Sequence, residues 1–593
     1  MATIQEWIHS LEEGGGARVV GRVAALLGLI ALATLYDFRA YKNFENPEAM
    51  DSAQIARNLA DGKGFTTQFI RPASIYFLKQ KTGSNHLDVA HPDIANAPLY
   101  PFVLSLWMRV IPFDYDIKEP ARFQTFQPEL QIAWLNQILL LLAIVLSWRL
   151  AARLFDPFVG WVTAGVLAGT DWLWQHSISG LPTSLLLVLI LLQAFVLCGA
   201  TRLLEEDETR GGRLFLLAAV AGMMAGLLCL TRYGMFWLLI PVLVYFNAFF
   251  RARGFALGLV VLLAFSGTIA PWMIRNYQLS GSIMGTAGLS VLEQTYRFPG
   301  ARVQRLVQPE NVDSPDDIGK VGLGEYWAKL DANLPKILQQ DLPRLGGTWI
   351  VAFFFVGLMV PFQRPVLSQL RWFLIGMIAL TVLVQALGES YFGKLVTGPS
   401  GDDLLIVWTP LVVMFGVALF STLVDRMHLE LPNANGSVAG VFIGILSLPL
   451  VVSLVNGRPS PWAYPPYHPP IIQERAKWMA ETEMMMSDMP WAVAWYGRRD
   501  CAWLPGEFGR GFGAVYSERS VHAIYLTALT LDQKLVSGLL HGPDPDWGRF
   551  AADAVVKEEV PPGFPLKHAF AEGFPFQLFL TDRPRWQEEK TPR

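Results

Sequence analysis

Cysteine is nearly missing from this chain of 593 residues, which holds three: Cys198, Cys229 and Cys501. The first two fall inside apolar runs and the third stands alone near the C-terminus. That excludes a paired disulfide framework and a thiolate metal site. Charge is scarce as well, at 16% of residues, where a soluble protein carries about 25%. The net charge of −3 gives no basic footprint for a nucleic acid. No internal repeat, low-complexity tract, nucleotide motif or metal motif is present. No small-residue cleavage site follows the first apolar run, which therefore reads as a retained anchor rather than a signal peptide.

Apolar sequence is abundant, with 52% of residues hydrophobic and a mean hydropathy of +0.34. It is concentrated in runs near the length a bilayer requires. Eleven spans are predicted: 19–36, 131–150, 158–174, 182–200, 213–230, 234–250, 255–272, 346–362, 371–388, 403–421 and 436–456. Arg18 and Arg22 at the start of the first span put the N-terminus inside. Strict alternation then leaves the short Arg-rich loops at Arg149 and Arg153, 201–213, Arg251 and Arg253, Arg364 and Arg371, and Arg426 on the cytoplasmic side, as the positive-inside rule asks. The long polar stretches 37–130, 275–345 and 457–593 then all lie outside. The expected fold is an α-helical polytopic membrane protein: residues 1–456 form the membrane domain, with external loops 37–130 and 275–345. Residues 457–593 form a small external α/β domain entered through Pro459, Pro461, Pro465 and Pro466. Within it, Pro470–Met479 and LTLDQKLVSGLL read as helices, and MPWAVAWYG and CAWLP as strands.

The stretch Asn46–Phe65, NPEAMDSAQIARNLADGKGF, is helix-prone, weakly apolar and too short to span, so it should rest at the outer membrane surface. Asp51 opens it, and with Gln54 three residues on it fits a helix cap. Acids and cations also collect at the outer ends of non-adjacent spans: Asp171, His176, Arg232, Arg275, Glu389, Asp402 and Asp403. Each alone is an interfacial residue reaching water; together they suit one outward-opening cavity. Three further stretches share that level: DIANAPLYP (Asp93–Pro101), LTRY (Leu230–Tyr233) and PWMIRNY (Pro271–Tyr277), where Pro271 should end a helix.

MDSAQIARNLADGKGF, APLYPFVLSLW, LTRY and APWMIRNYQLSG, in that order, resemble the GT-C superfamily of integral-membrane glycosyltransferases, in particular bacterial proteins similar to protein O-mannosyltransferases and aminoarabinose transferases. The resemblance implies transfer of a sugar from a polyprenyl-phosphate donor to a glycan, lipid or protein acceptor at the outer face of a bacterial inner membrane. It implies Asp51 as the acid beside the acceptor, with Ser52 where a second acid often stands and Asp171 as a substitute for it. Arg275, Asn276, Tyr277 and Arg232 are the candidates for the carrier phosphate and cavity lining, with His91, Asn96, Tyr100 and Glu389 as further substrate-binding candidates. The oligosaccharyltransferases of the superfamily carry metal-binding carboxylates where this chain has Leu181, Pro182, Thr183 and Ser184, so no metal or other cofactor is expected. An aspartate at a helix start is a weak base, and burial beneath an acceptor would strengthen it. A transporter or flippase of lipid-linked sugars is the competing reading. Broken helices and symmetry between the halves would favour it, and the sequence shows neither. An anchored assembly protein would not need eleven spans.

Overall fold

The computed structural model describes residues 15–586 except 207–210, 309–314, 316–317, 319–320, 347, 362, 428–433, 458–459, 461–466, 532–544, 557–559 and 571–576. Among the described residues, seven helices are long and apolar enough to cross a bilayer: Val19–Arg39, Gln127–Leu154, Thr183–Glu205, Gly212–Thr231, Gly254–Ser280, Pro365–Gly388 and Leu404–Arg426. Two bent pairs bring the number to nine, Leu323–Arg344 with Trp349–Leu358 at 101° and Asn435–Leu446 with Leu448–Val455 at 50°. The other two predicted spans are the shorter apolar helices Pro157–Gly169 and Tyr233–Phe249.

The local reasons are legible. The run at 158–174 divides at Thr170, whose extended backbone lets Asp171 start a separate helix to Ile178. The last run bends beside Pro449, which has no N–H to continue the ladder. Pro271 does not end its helix: Gly254–Ser280 runs through it and stops at Gly281, which takes the left-handed conformation open to glycine (φ 80°). A proline inside a membrane helix is tolerated where neighbours satisfy the freed carbonyl. Val19, Val20, Val23, Leu26, Leu27 and Ile30 are exposed along the first helix, a surface that a bilayer would cover.

A six-stranded sheet completes the fold: β1 (Phe69–Ile70), β2 (Met484–Ser487), β3 (Cys501–Trp503), β4 (Val521–Leu526), β5 (His568–Phe570) and β6 (Leu578–Thr581). The order is β1-β3-β2-β4-β6-β5, with β1, β3, β2 and β4 mutually parallel and β6 antiparallel to both β4 and β5. Five strands come from the C-terminal part of the chain and one from the loop after the first span. The predicted strand MPWAVAWYG is helical instead, as Pro490–Ala492 followed by a wide turn over Val493–Gly497. Pro490 suits a first helical turn, and the run is buried throughout, which removes the alternation that marks a strand. CAWLP does hold β3, and Pro469–Lys477 is helical. The four linker prolines and most of LTLDQKLVSGLL lie outside the described residues.

Candidate active site

The Pro47–Ala60 helix is the centre of the site. Its cap is Asn46, in extended geometry and without a side-chain cap bond, so Asp51 sits a full turn inside and does not cap the helix. Gln54 Nε2 instead donates to Asp51 Oδ1 at 3.0 Å, side chain to side chain. Nor does the helix rest at a surface with one face in water. Met50, Asp51, Ala53, Gln54, Ile55 and Ala56 are all 0–1% exposed, covered by the Leu99–Val110 helix and the 490–497 segment.

Asp51 is held from three directions. Arg71 Nη2 pairs with Oδ2 at 2.7 Å, Asn96 Nδ2 donates to the same oxygen at 2.8 Å, and Gln54 takes Oδ1. Arg71 is itself fixed: its Nε donates to Gln304 Oε1 at 3.0 Å, Asp93 Oδ2 lies 3.7 Å from Nη1, and its guanidinium stacks 4.0 Å from the Phe69 ring. Asp93 accepts from the backbone of Ala95 and Asn96 at 3.1 and 2.8 Å, which shapes the loop carrying Asn96. Burial pushes the Asp93 carboxyl up, and the nearby Asp51 charge adds to this while Arg71 opposes it. The chain of contacts continues from Gln304 Nε2 to Glu293 Oε1, and Glu293 Oε2 accepts from Tyr391 N at 2.7 Å. Burial pushes Glu293 up to about 7.

Asp51, Arg71, Asn96, Glu293 and Gln304 wall a cavity of about 180 Å³, together with Glu48, Ser52, Tyr100, Arg232, Tyr233, Ser290, Ser390 and Phe392. Glu48 and Asp51 stand three residues apart, on one face of their helix. Arg232 Nη1 lies 3.4 Å from Glu48 Oε2, and its Nη2 lies 3.5 Å from Asp402 Oδ1. Asp402 accepts from Ser390 N and Oγ at 2.8 and 2.9 Å, and burial with Glu48 beside it pushes its carboxyl up to about 7. A Cβ at Gly401 would lie 1.5 Å from Glu48 Oε2 and 2.9 Å from Arg232 Nη1, so a side chain there would displace the ends of both.

Of the sequence candidates, Asp51, Asn96, Tyr100 and Arg232 line this cavity, and the other six do not. Tyr100 donates to Gly180 O at 2.8 Å. Arg275 is spent on backbone, donating to Asp93 O and Phe65 O at 2.9 and 3.2 Å and lying 4.5 Å from the Trp272 ring. Asn276 and Trp272 donate to Tyr233 Oη at 3.2 and 2.7 Å, so PWMIRNY supports a cavity wall from behind. Tyr277 is half exposed with Lys81 over its ring. His91 is buried against Ser74 at 2.8 Å, and that burial pulls it down to about 3. Asp171 accepts from Gln175 and Ser453 at 2.6 and 3.0 Å, in a separate cluster. Glu389 pairs with Lys336 at 2.9 Å and faces a neighbouring cavity of about 160 Å³ that also touches Asp402.

Sequence reasoning missed Glu48, Arg71, Glu293 and Gln304. Glu48 had a signal, the i, i+3 spacing to Asp51; the others lie far from it along the chain or in loops. Among the described residues, no group of three His, Cys, Asp or Glu side chains is arranged to hold a metal ion.

No protein-family model matches the chain, and no curated protein sequence does. Solved structures do. ArnT from Cupriavidus metallidurans bound to undecaprenyl phosphate superimposes with a TM-score of 0.56 at 12% identity, over 98% of this chain and 100% of that one. The archaeal oligosaccharyltransferase AglB from Archaeoglobus fulgidus, in complex with an inhibitory peptide and a dolichol-phosphate, gives 0.54 at 10% identity, over 89% of this chain and 72% of that one. The fold is GT-C-like. A second ArnT structure, in the apo state, covers 95% of this chain with a TM-score of 0.50. On that fold the Asp51 cavity combines an oriented carboxylate, an arginine in the same lining and several hydroxyls. Such a set can accept a proton from a nucleophile and stabilise an anionic leaving group.

Proposed function

We propose that the protein is a polytopic glycosyltransferase of the bacterial inner membrane, with a cytoplasmic N-terminus and its C-terminal region and active site at the outer face. It moves one sugar from a polyprenyl monophosphate to a hydroxyl or amine of a glycan, lipid or protein, with inversion. The observation that carries this reading is the Asp51 carboxylate, buried and triply hydrogen-bonded, yet lining the same cavity as Arg232. A carboxylate offers about four lone-pair positions. Three are taken, and the fourth can receive the acceptor's O–H or N–H as its heteroatom attacks the anomeric carbon. The phosphate leaves with the bonding pair, and Arg232 meets the charge that develops on it. One monophosphate needs one cation, so the reading requires no metal.

The test is mass analysis of surface glycans and glycoproteins in a strain lacking the gene. A sugar modification should disappear, return with the wild-type gene and stay absent with Asp51→Asn. An unchanged glycan profile in the deletion strain would overturn the reading, and full restoration by Asp51→Asn would remove Asp51 from the chemistry.

A further inference from the structure

The C-terminal sheet is built into the site through one short piece of chain. β1 lies parallel to β3, with Phe69 opposite Cys501 and Ile70 opposite Ala502, and Cys501 N donates to Gln68 O at 2.8 Å. The next residue is Arg71, the ion-pair partner of Asp51. The Asp51 helix is pinned to the same region by Arg57, which is 5% exposed. Its Nη1 donates to Trp495 O at 2.9 Å, and its Nη2 to Ala494 O and Gln68 Oε1, both at 2.8 Å. One guanidinium therefore ties the helix carrying Asp51, the strand leading to Arg71 and the C-terminal region at a single point.

We propose that Arg57 is a positioning residue, through which docking of the C-terminal sheet sets the Asp51–Arg71 pair in working geometry. This rests on the proposed transferase reading. Two carboxylate partners that arrive from different segments need a common frame, and the β1–β3 ladder and the Arg57 fork are that frame. Arg57 itself does not line the cavity, and Arg232, which does, contacts Glu48 and Asp402 and none of the groups that Arg57 holds. Misplacing a catalytic group by about 1 Å can cost about 100-fold in rate, so transfer should respond to Arg57 while carrier binding should not.

The experiment uses the full chain, with two readouts: titration of purified protein in nanodiscs with undecaprenyl phosphate, and recovery of the missing sugar modification in the deletion strain. Arg57→Met keeps the apolar stem and removes the fork. Transfer should fall about 10- to 100-fold while carrier affinity stays within about twofold, and Arg57→Lys should recover part of the loss. A rescue separates positioning from a general loss of fold. Residues paired across parallel strands point the same way, at a spacing a disulfide can bridge. Ile70→Cys with Ala502→Cys, in a Cys501→Ala background, should therefore pin β1 and restore most of the transfer to Arg57→Met, and reduction should abolish the rescue. Wild-type transfer by Arg57→Met, or a loss that persists with the disulfide formed and carrier binding intact, would overturn the proposal. If the deletion strain keeps an unchanged glycan profile, the transferase reading itself has failed; if Asp51→Asn transfers normally, the carboxylate is structural and there is no Asp51 geometry for Arg57 to set. If only Arg57→Met does, the reading stands and the positioning role is wrong.

Discussion

Arg232 and Arg275 sit at comparable levels of neighbouring helices, and the structure uses them in opposite ways. Arg275 reaches back into the loop after the first span and gives N–H groups to the carbonyls of Phe65 and Asp93. Arg232 lines the cavity, and its ion-pair contacts among the described residues are long ones, to Glu48 and Asp402. Both are arginines beside aromatic residues in the sequence, Tyr233 for one and Trp272 and Tyr277 for the other, so residue type does not separate them. What separates them is which partners reach the guanidinium first. A fork saturated by carbonyls is a brace, whereas one held loosely between carboxylates at 3.4–3.5 Å can exchange them for a phosphate.

The largest expected effect lies in the pair that needs no exchange. Asp51→Asn should lower transfer by about two to four decades, the usual worth of positioned acid–base catalysis, with carrier binding retained. Arg71→Met should act on stability as well, because it leaves a buried carboxylate unpaired at a cost of about 3–5 kcal/mol. Thermal melts of the purified protein would show it. If Asp51→Asn transfers at the wild-type rate, the carboxylate is structural.

The comparison of the two arginines is tested next. Arg232→Ala should weaken undecaprenyl phosphate binding by about 1.5–3 kcal/mol, the range for a hydrogen bond to a charged group. Arg232→Lys should recover part of that, since it keeps the charge and loses the fork. Arg275→Ala should leave affinity unchanged and lower stability by about 1–3 kcal/mol, the cost of unmet buried carbonyls. The reverse pattern in a titration would exchange their roles.

A smaller effect follows from Asp402, pushed up to about 7. Below that pH it is protonated, and Arg232 keeps one anionic partner; above it, Asp402 competes with phosphate. Carrier affinity should therefore fall as pH rises through about 7, relative to Asp402→Asn at the same pH, a comparison that cancels the ligand's own ionisation. The stability sign agrees. With the folded value above the unfolded one, this group's contribution is full below 3.8 and is lost as pH rises through about 7. Melts of the two proteins between about pH 5 and 8 should differ in slope accordingly. Parallel curves would mean that Asp402 does not titrate there.

Much of the helical frame was legible, because bilayer-length apolar runs leave a signal in any window of sequence. The divided runs were harder: Pro449 marks one break, but nothing in 158–174 announces that Thr170 leaves the helix. Within the site, Asp51 and Arg232 could be found as charges beside apolar spans. Arg71 could not, since its role depends on a two-residue strand whose partner, Cys501, lies more than four hundred positions on. A strand so short has no period to detect. Arg275 was misleading for a physical reason: its local sequence, between Trp272 and Tyr277, describes an interface but not which carbonyls will approach it.

The smallest effect is expected at Asp171, the sequence candidate for a second acid beside Asp51. Gln175 and Ser453 both donate to its Oδ2, and it begins the short Asp171–Ile178 helix, outside the residues that line the cavity. The second acid that does share that wall is Glu48, one turn before Asp51. Asp171→Asn keeps the shape and both polar partners, so transfer should stay within about twofold and stability should shift by no more than about 1 kcal/mol, the net worth of an ordinary hydrogen bond. Glu48→Gln, measured beside it, should cost transfer clearly more, because it alters a wall of the cavity and releases Arg232 to Asp402 alone. If Asp171→Asn proved the more damaging of the two, the catalytic pocket would have to be drawn around the Asp171 cluster, and the 180 Å³ cavity would lose its claim to the chemistry.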